Sequence, residues 1–442
     1  MSRRPALGAG LLLGLVLGAC DQELPTEVGG ELLPEAALRT YEILLEDAAF
    51  LSADTLLRGF GTSQSSLVLL VAEDYRDALD AHSLVQFGDF PTEVTFIDSL
   101  GTQTDTIERF AGGRIIVRMD TVALALDTLG TDTTIAIEMY EVAEPFDART
   151  ATWTARSVES GDTAFWTTPG GTVGALIGSA TWTRSDTVAL DTMVFTIDSA
   201  TVDRWAAGAE PPAVLLRTAT PGARAQLFVP RLEATAWLMG ADTSRTVSVV
   251  VQAQTYLIDP PPPEPAAELR LGGRSAWRSF LTFTDRLDTV RVACPDEPVG
   301  CSFRLGEATV NRAELRLRAL PVAEVYRPRG NLVMEARPLL GGDVPLERAP
   351  LADTTGVAFG ITPAHFDEAT DSVVTISVTR FLRELLNAGT DTILSERNRT
   401  VALLTVPEPL PFGIVRFGSS ETAGAEPVLR LIVTLPPREE DD

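Results

Sequence analysis

Residues 43–51 read Ile-Leu-Leu-Glu-Asp-Ala-Ala-Phe-Leu, and residues 249–257 read Val-Val-Val-Gln-Ala-Gln-Thr-Tyr-Leu. Both stretches resemble strands in which polar residues interrupt apolar ones, and they lie about 200 positions apart. A fixed spacing of this kind is typical of a chain with internal repeats. The sequence therefore predicts a module that occurs twice, with each copy beginning at one of these stretches.

The elements that follow these two stretches recur in the same order. Apolar strands, a short helix that ends at glycine and a closing strand are predicted in each copy. The matched segments are 83–87 with 279–283, 114–118 with 314–318, 201–208 with 377–389, 213–216 with 401–404, and 232–238 with 429–435. The predicted fold class is mainly β, with two tandem β-sandwich (jelly-roll-like) modules that each contain one short helix.

Consecutive prolines at residues 260–263 form a stiff stretch that looks like a linker between domains. The strand before them matches the start of the first copy, so we place them inside the second copy. We place the junction at Gly240-Ala241-Asp242 instead. The predicted organisation is a signal peptide at 1–19, a tether at 20–40, β-sandwich modules at 41–242 and 243–436, and an acidic tail at 437–442.

The N-terminus carries the features of a lipoprotein export signal. Arg3 and Arg4 precede an apolar run at residues 7–19, which is too short to span a bilayer as a helix. Leu17-Gly18-Ala19-Cys20 resembles the lipobox of bacterial lipoproteins, in which the cysteine is acylated and becomes the new N-terminus. This resemblance implies a lipid anchor, such as palmitate, at Cys20. The alternative is an ordinary secretory signal with a chance cysteine.

The expected location is therefore the cell envelope, with the membrane as a partner through the lipid. We expect the outer membrane or the cell surface in preference to the inner membrane. Asp21 leaves the choice open, because an aspartate next to the acylated cysteine retains some lipoproteins in the inner membrane.

The composition restricts the chemistry that this chain can perform. Its 442 residues include 36 basic and 61 acidic ones, and the net charge of −25 disfavours nucleic acid and anionic lipid surfaces as partners. Every basic residue is arginine, which excludes a lysine-dependent phosphate loop and Schiff-base chemistry. His82 and His365 are the only histidines, and neither lies near a Gly-x-Ser-x-Gly motif. We therefore predict no enzyme activity, catalytic site, metal site or cofactor.

Two cysteines remain once Cys20 is assigned to the anchor. Cys294 and Cys301 flank a short segment rich in proline and glycine, and this arrangement indicates a local disulfide in an oxidising compartment. The alternative is a zinc site, which would need further ligands from distant parts of the sequence.

The first copy contains Ala151-Thr152-Trp153, followed by Trp166-Thr167-Thr168-Pro169-Gly170-Gly171. This pattern resembles the DNRLRE-type β-sandwich modules of secreted and cell-surface bacterial proteins. Residues 83–87 and the ending Trp205-Ala206-Ala207-Gly208 of the predicted helix add to the resemblance. The name-giving string is absent, and Thr172 stands where that family usually has aspartate. The resemblance implies a non-catalytic module, sometimes carbohydrate-binding, of the kind found in polysaccharide-acting or adhesive proteins.

The predicted ligand surface lies on this turn, because tryptophan faces stack on sugar rings and glycine lets a ligand approach the backbone. Its residues are Trp153, Trp166, Thr167, Pro169, Gly170 and Gly171. The alternative is that the tryptophans pack the core or brace the loop. The second copy lacks this turn and is expected to act as a spacer.

The predicted function is that of an envelope lipoprotein with binding or adhesion modules, whose partner is a glycan or an envelope protein. A purely structural envelope lipoprotein is the first alternative. A polysaccharide-acting enzyme is the second.

Overall fold

A computed structural model describes most of the chain, and its architecture is mainly β. The described residues are 39–60, 68–98, 101–120, 134–159, 161–183, 192–208, 210–239, 243–294, 301–341, 344–369, 371–387, 399–406, 408 and 413–435. Cys20, the predicted signal peptide, the predicted junction and the acidic tail lie outside them. Within these ranges, no helix combines the length and apolar character needed to cross a membrane.

The first sandwich is built from two antiparallel sheets. Its strands are β3 (Val68–Tyr75), β4 (Leu79–Phe87), β5 (Glu93–Asp98), β6 (Gly101–Arg118), β7 (Thr134–Val142), β10 (Val173–Thr183), β11 (Thr192–Ile197), β12 (Ala213–Thr218), β13 (Ala223–Phe228), β14 (Arg231–Leu238), β15 (Ser244–Val249) and β16 (Val251–Asp259). One sheet has the order β10-β7-β12-β4-β3-β13, with β16 also paired to β4. The other has the order β11-β6-β14-β15, with β5 paired to β6.

The second sandwich repeats this arrangement. Its strands are β1 (Arg39–Glu46), β2 (Leu51–Leu57), β17 (Glu268–Gly272), β18 (Arg278–Phe283), β21 (Thr309–Arg318), β22 (Leu332–Pro338), β23 (Gly356–Ile361), β24 (Val373–Ser377), β25 (Thr400–Val406), β26 (Ile414–Gly418) and β27 (Val428–Leu435). One sheet has the order β2-β18-β25-β22-β23 and the other has the order β1-β27-β21-β24. The pair β17–β26 corresponds to β3–β13 of the first sandwich.

Small elements complete the chain. The helices are α1 (Asp47–Phe50), α2 (Ser199–Ala207) and α3 (Thr379–Asn387), and two short hairpins are formed by β8 (Ala155–Glu159) with β9 (Asp162–Phe165) and by β19 (Arg291–Ala293) with β20 (Ser302–Arg304). The side chain of Asp198 accepts a hydrogen bond from the Thr201 backbone N–H and caps α2. Because α2 follows β11 and α3 follows β24, each sandwich has a helix at the predicted place.

The first strands of the two predicted modules are exchanged between the sandwiches. β1 pairs with β27 and β2 with β18, so residues 39–57 complete the second sandwich. β15 pairs with β14 and β16 with β4, so residues 244–259 complete the first. This pairing assigns both strand pairs differently from the predicted modules. The first sandwich is the continuous segment 68–259, whereas the second combines residues 39–57 with residues 268–435. The junction at 240–242 lies outside the described residues and stays a prediction.

The sandwiches have apolar interiors that meet at one interface. Side chains from both sheets of the first sandwich form one buried cluster, which includes Val85, Ile115 and Leu232. The cluster inside the second sandwich extends outward to Tyr75 and Tyr256 of the first. The two sandwiches therefore share buried apolar surface at their junction, which couples their stabilities.

Cys294 and Cys301 lie at disulfide distance, with 5.4 Å between their Cα atoms, as the sequence predicts. The bond closes the hairpin β19–β20, in which Val292 pairs with Phe303. Phe303 stacks on Tyr41 of β1 with 6.0 Å between ring centres. The disulfide therefore anchors a hairpin that helps to cover the exchanged strand.

Candidate functional site

The loop that joins β7 to β10 covers the outer face of the first sandwich. Leu84, Leu215 and Leu257 point outward from three adjacent strands, and all three are fully buried. Ala151 and Trp166 of the loop pack directly on these leucines. We call residues 143–172 the cover loop, since they shield apolar side chains that would otherwise face water. In the second sandwich, Leu339 and Ala349 cover the corresponding face at Phe280 and Ala402.

Trp166 is the central brace of the cover loop. Its side chain is only 5% exposed, and its Nε1–H donates a hydrogen bond to the Thr152 carbonyl at 3.0 Å. The predicted exposed ring face is therefore absent, because the ring is packed against the outward-facing leucines. Trp182 is also buried, in the core of the first sandwich. Trp166 therefore has the packing role that was the alternative to a ligand surface.

The two glycines of the turn accommodate side chains of the protein itself. Gly170 has φ +84°, and a Cβ there would lie 2.9 Å from the Trp153 ring and from His82 Nδ1. Gly171 has φ +99°, and its Cβ would lie 2.8 Å from Leu215. Glycine is required at both positions because a side chain would clash and the backbone is in a left-handed conformation. Close packing, rather than the predicted approach of a ligand, accounts for both glycines.

His82 of β4 holds the turn in place. Its Nδ1–H donates to the Gly170 carbonyl at 2.7 Å, and its ring lies 4.8 Å from the half-buried Trp153 ring. Burial lowers the pKa of the His82 imidazole below its usual value of 6.5, although the hydrogen bond to Gly170 acts in the opposite direction. This histidine thus has a structural environment: a half-buried ring that ties β4 to the cover loop.

Thr167, Thr168 and Pro169 form the exposed rim of the turn, and Glu144 holds this rim in place. The Glu144 carboxylate accepts hydrogen bonds from the Thr167 hydroxyl, the Thr167 backbone N–H at 3.2 Å and the Thr172 hydroxyl at 2.9 Å. These donors, the Thr167 hydroxyl above all, lower the pKa of Glu144. Thr172, where the resembled family has aspartate, here serves as a donor to a carboxylate.

A groove of about 630 Å³ opens between the start of the cover loop and the segment from α2 to β12. Its polar lining consists of Gln86, Glu141, Glu144, Arg204 and Glu210. Its apolar lining includes Pro145, Phe146, Trp205, Pro211 and Pro212. The groove is thus a concave surface that carries both apolar patches and hydrogen-bonding groups, as ligand sites usually do.

One wall of the groove is held by Glu141. Its Oε1 accepts hydrogen bonds from the Arg204 guanidinium at 2.6 Å and from the Trp205 Nε1–H at 2.8 Å. These contacts connect the end of β7 to the last turn of α2. The wall is therefore formed before any ligand arrives, which reduces the entropy lost on binding.

Sequence reasoning missed these groove residues. Glu141, Arg204 and Gln86 belong to segments far apart in the chain, and only the sheet order brings them together. The local signals are Glu144-Pro145 and Pro211-Pro212, which mark loops at the ends of β7 and α2.

The polar groups of this groove can form hydrogen bonds with a ligand. In the described part of the chain, no group of three or more histidine, cysteine, aspartate or glutamate side chains is arranged to hold a metal ion. His365 lies in the second sandwich, where its Nδ1 contacts the Thr362 hydroxyl at 3.0 Å. The carboxylates, the guanidinium and the amide of the groove can accept and donate hydrogen bonds.

Comparison of the chain with models of known protein families and with curated proteins gives no match in either case. The resemblance of the tryptophan turn to DNRLRE-type modules therefore stays a prediction.

Proposed function

We propose that this chain is an envelope lipoprotein whose first sandwich binds a neutral or amino-bearing saccharide in the groove beside the cover loop. The observation that carries the proposal is the groove itself, with its preformed wall and its mixed lining. Its volume lies within the range of roughly 300–1,000 Å³ that is typical of small-molecule sites. A segment of a few sugar units fits this space.

The lining favours a saccharide over a purely apolar ligand. Sugar rings present apolar faces to prolines and aromatic rings, while their hydroxyl groups need acceptors and donors at the edges. Phe146 and Pro212 supply apolar surface, and Gln86 supplies an amide. Glu141, Glu144 and Glu210 outweigh Arg204 in charge, so the groove disfavours anionic polysaccharides.

The anchor defines where this binding takes place. The lipobox-like sequence that ends at Cys20 supports attachment to an envelope membrane. The proposed role is therefore to hold a glycan at the membrane or the cell surface without modifying it. The second sandwich supports the first as a spacer.

The test is an array of neutral, amino and acidic oligosaccharides probed with the mature protein, followed by calorimetry on the best binder. Ala143 lines the groove and is exposed, so Ala143→Trp fills the groove without disturbing the core. Ala175→Trp, at an exposed site on β10 that does not line the groove, is the matched control.

We expect neutral or amino saccharides to bind, Ala143→Trp to weaken binding at least tenfold and Ala175→Trp to leave it unchanged. An array with no bound saccharide contradicts the proposal and favours the purely structural alternative. Equal binding by both variants also contradicts it, because the ligand would then lie elsewhere.

A further inference from the structure

Residues 39–57 act as a separate strand pair that completes the second sandwich. All eight residues of β1 pair with β27, and β2 pairs with β18 on the opposite sheet. Tyr41, Ile43, Leu45 and Phe50 of this segment are buried in the apolar interior. The segment therefore contributes a main-chain ladder on each sheet and several core side chains.

The same acceptor geometry occurs in the first sandwich. β15 and β16 lie beside β14 and β4, in the places that β1 and β2 occupy beside β27 and β18. In the first sandwich this pair follows β14 directly in the chain, whereas the pair of the second sandwich precedes the whole first sandwich in sequence. The second sandwich is therefore completed by a segment that is separated from its other strands by the first sandwich, and such a segment is the kind of element that changes places between protomers in domain swapping.

The contacts that hold β1 and β2 are specific. The Arg430 guanidinium bridges Glu42 at 2.8 Å and Glu314 at 2.8 Å, so it joins the incoming strand to two strands of the sheet. At the other sheet, the Ser420 backbone N–H donates to Asp54 Oδ2 at 2.7 Å. Main-chain pairing supplies affinity and these side-chain contacts supply register, as in other cases of strand addition.

The link between this strand pair and the first sandwich is short in sequence. Residues 58–67 connect β2 to β3, which belongs to the first sandwich. The pairing partners of β1 lie near the opposite end of the chain, at residues 428–435. The second sandwich thus holds the segment through main-chain pairing and side-chain contacts. None of these contacts requires the segment to belong to the same chain.

We propose that the second sandwich is an acceptor for residues 39–57, and that a second copy of the chain can supply this segment in place of the chain's own strand pair. Chains that exchange this segment form dimers or longer assemblies with unchanged sandwiches. The partner is therefore this protein itself, and its binding element is the strand pair β1–β2.

The first test uses the full mature chain with a specific protease site introduced within residues 61–67. After cleavage of the folded protein and removal of its own N-terminal fragment, a fluorescent peptide of residues 39–57 is added, and incorporation is followed by anisotropy and native mass spectrometry. A peptide with Ile43→Asp is the control, because the charge would enter the core. We expect one labelled peptide per chain and at least 100-fold weaker incorporation of the control.

The second test uses two intact chains with complementary defects. Ile43→Asp damages the donor strand, and Leu431→Asp damages the acceptor strand beside it. Refolded together, the two variants are expected to form a heterodimer that holds one intact second sandwich. The proposal is wrong if only the separate variants are recovered and the cleaved chain, after removal of its own fragment, incorporates neither the 39–57 peptide nor its control.

Discussion

Replacing Trp166 with alanine should destabilise the first sandwich strongly. A tryptophan side chain buries about 200 Å², and burial of nearly all of it corresponds to roughly 5 kcal/mol at about 25 cal/mol per Å². Alanine retains a small part of this area, and unfolded chains already bury some of it. The expected loss in the free energy of unfolding is therefore about 3–4 kcal/mol, within the range measured for large core residues.

The assay is urea unfolding of the mature protein, combined with hydrogen exchange of the cover loop. Trp166→Phe keeps an aromatic ring but removes the donor to the Thr152 carbonyl, so it should lose only about 1–2 kcal/mol. In Trp166→Ala, the amides of residues 167–172 should also exchange faster, since the brace beneath them is gone. A loss below about 1 kcal/mol with unchanged exchange would refute the bracing role.

Three other predictions concern the buried charges, the half-buried histidine and the anchor. The side chain of Glu268 is 1% exposed and contacts Arg270 at 2.6 Å and also Arg416. Glu268→Ala should therefore lower the free energy of unfolding in urea by about 3–5 kcal/mol. In the exposed pair with Arg58, Glu264→Ala should lower it by less than about 1 kcal/mol. Burial lowers the pKa of His82, so the unfolded chain takes up a proton at this residue first as the pH falls. The free energy of unfolding should therefore decrease below about pH 6.5. His82→Gln should weaken this dependence in unfolding measured across about pH 5–7. Cys20→Ala should move the protein from carbonate-washed membranes to the soluble fraction, and persistent membrane association of the variant would rule out the lipid anchor.

The sandwich class could be predicted because alternating apolar residues mark half-buried strands. The predicted strand at 232–238 matches β14, and the one at 429–435 matches β27. Both are central strands whose inward side chains are fully buried, such as Leu232 and Leu429. The repeated order of elements was also visible, since the two sandwiches have corresponding strand orders.

The strand exchange could not be predicted from the sequence. Alternation determines which side chains of β1 face a core, but both sandwiches offer an edge of the same kind. The residue matching between the two copies was also shifted. The sequence aligns Leu51 with Leu257. In the structure, Leu57 lies beside Arg278 and takes the place in the second sandwich that Leu257 takes in the first. The reason is the short helix α1, which lengthens the connection between β1 and β2 relative to β15 and β16.

The candidate site was only partly accessible to sequence reasoning. The turn at residues 166–171 was found, but whether Trp166 faces water or the sheet depends on Leu84, Leu215 and Leu257, which lie on other strands. The groove depends on long-range pairing between β7, β12 and β4, and the local patterns Glu144-Pro145 and Pro211-Pro212 mark only the loops that border it.

Hydrogen exchange with and without the best saccharide from the array tests the binding account most directly. The account predicts slower exchange at residues 141–146, 208 and 210–213, which form the two sides of the groove. Exchange in the second sandwich should stay unchanged, because that part serves as a support. Protection confined to the second sandwich, or no protection at saturating saccharide, would contradict the assignment of the groove as the binding site.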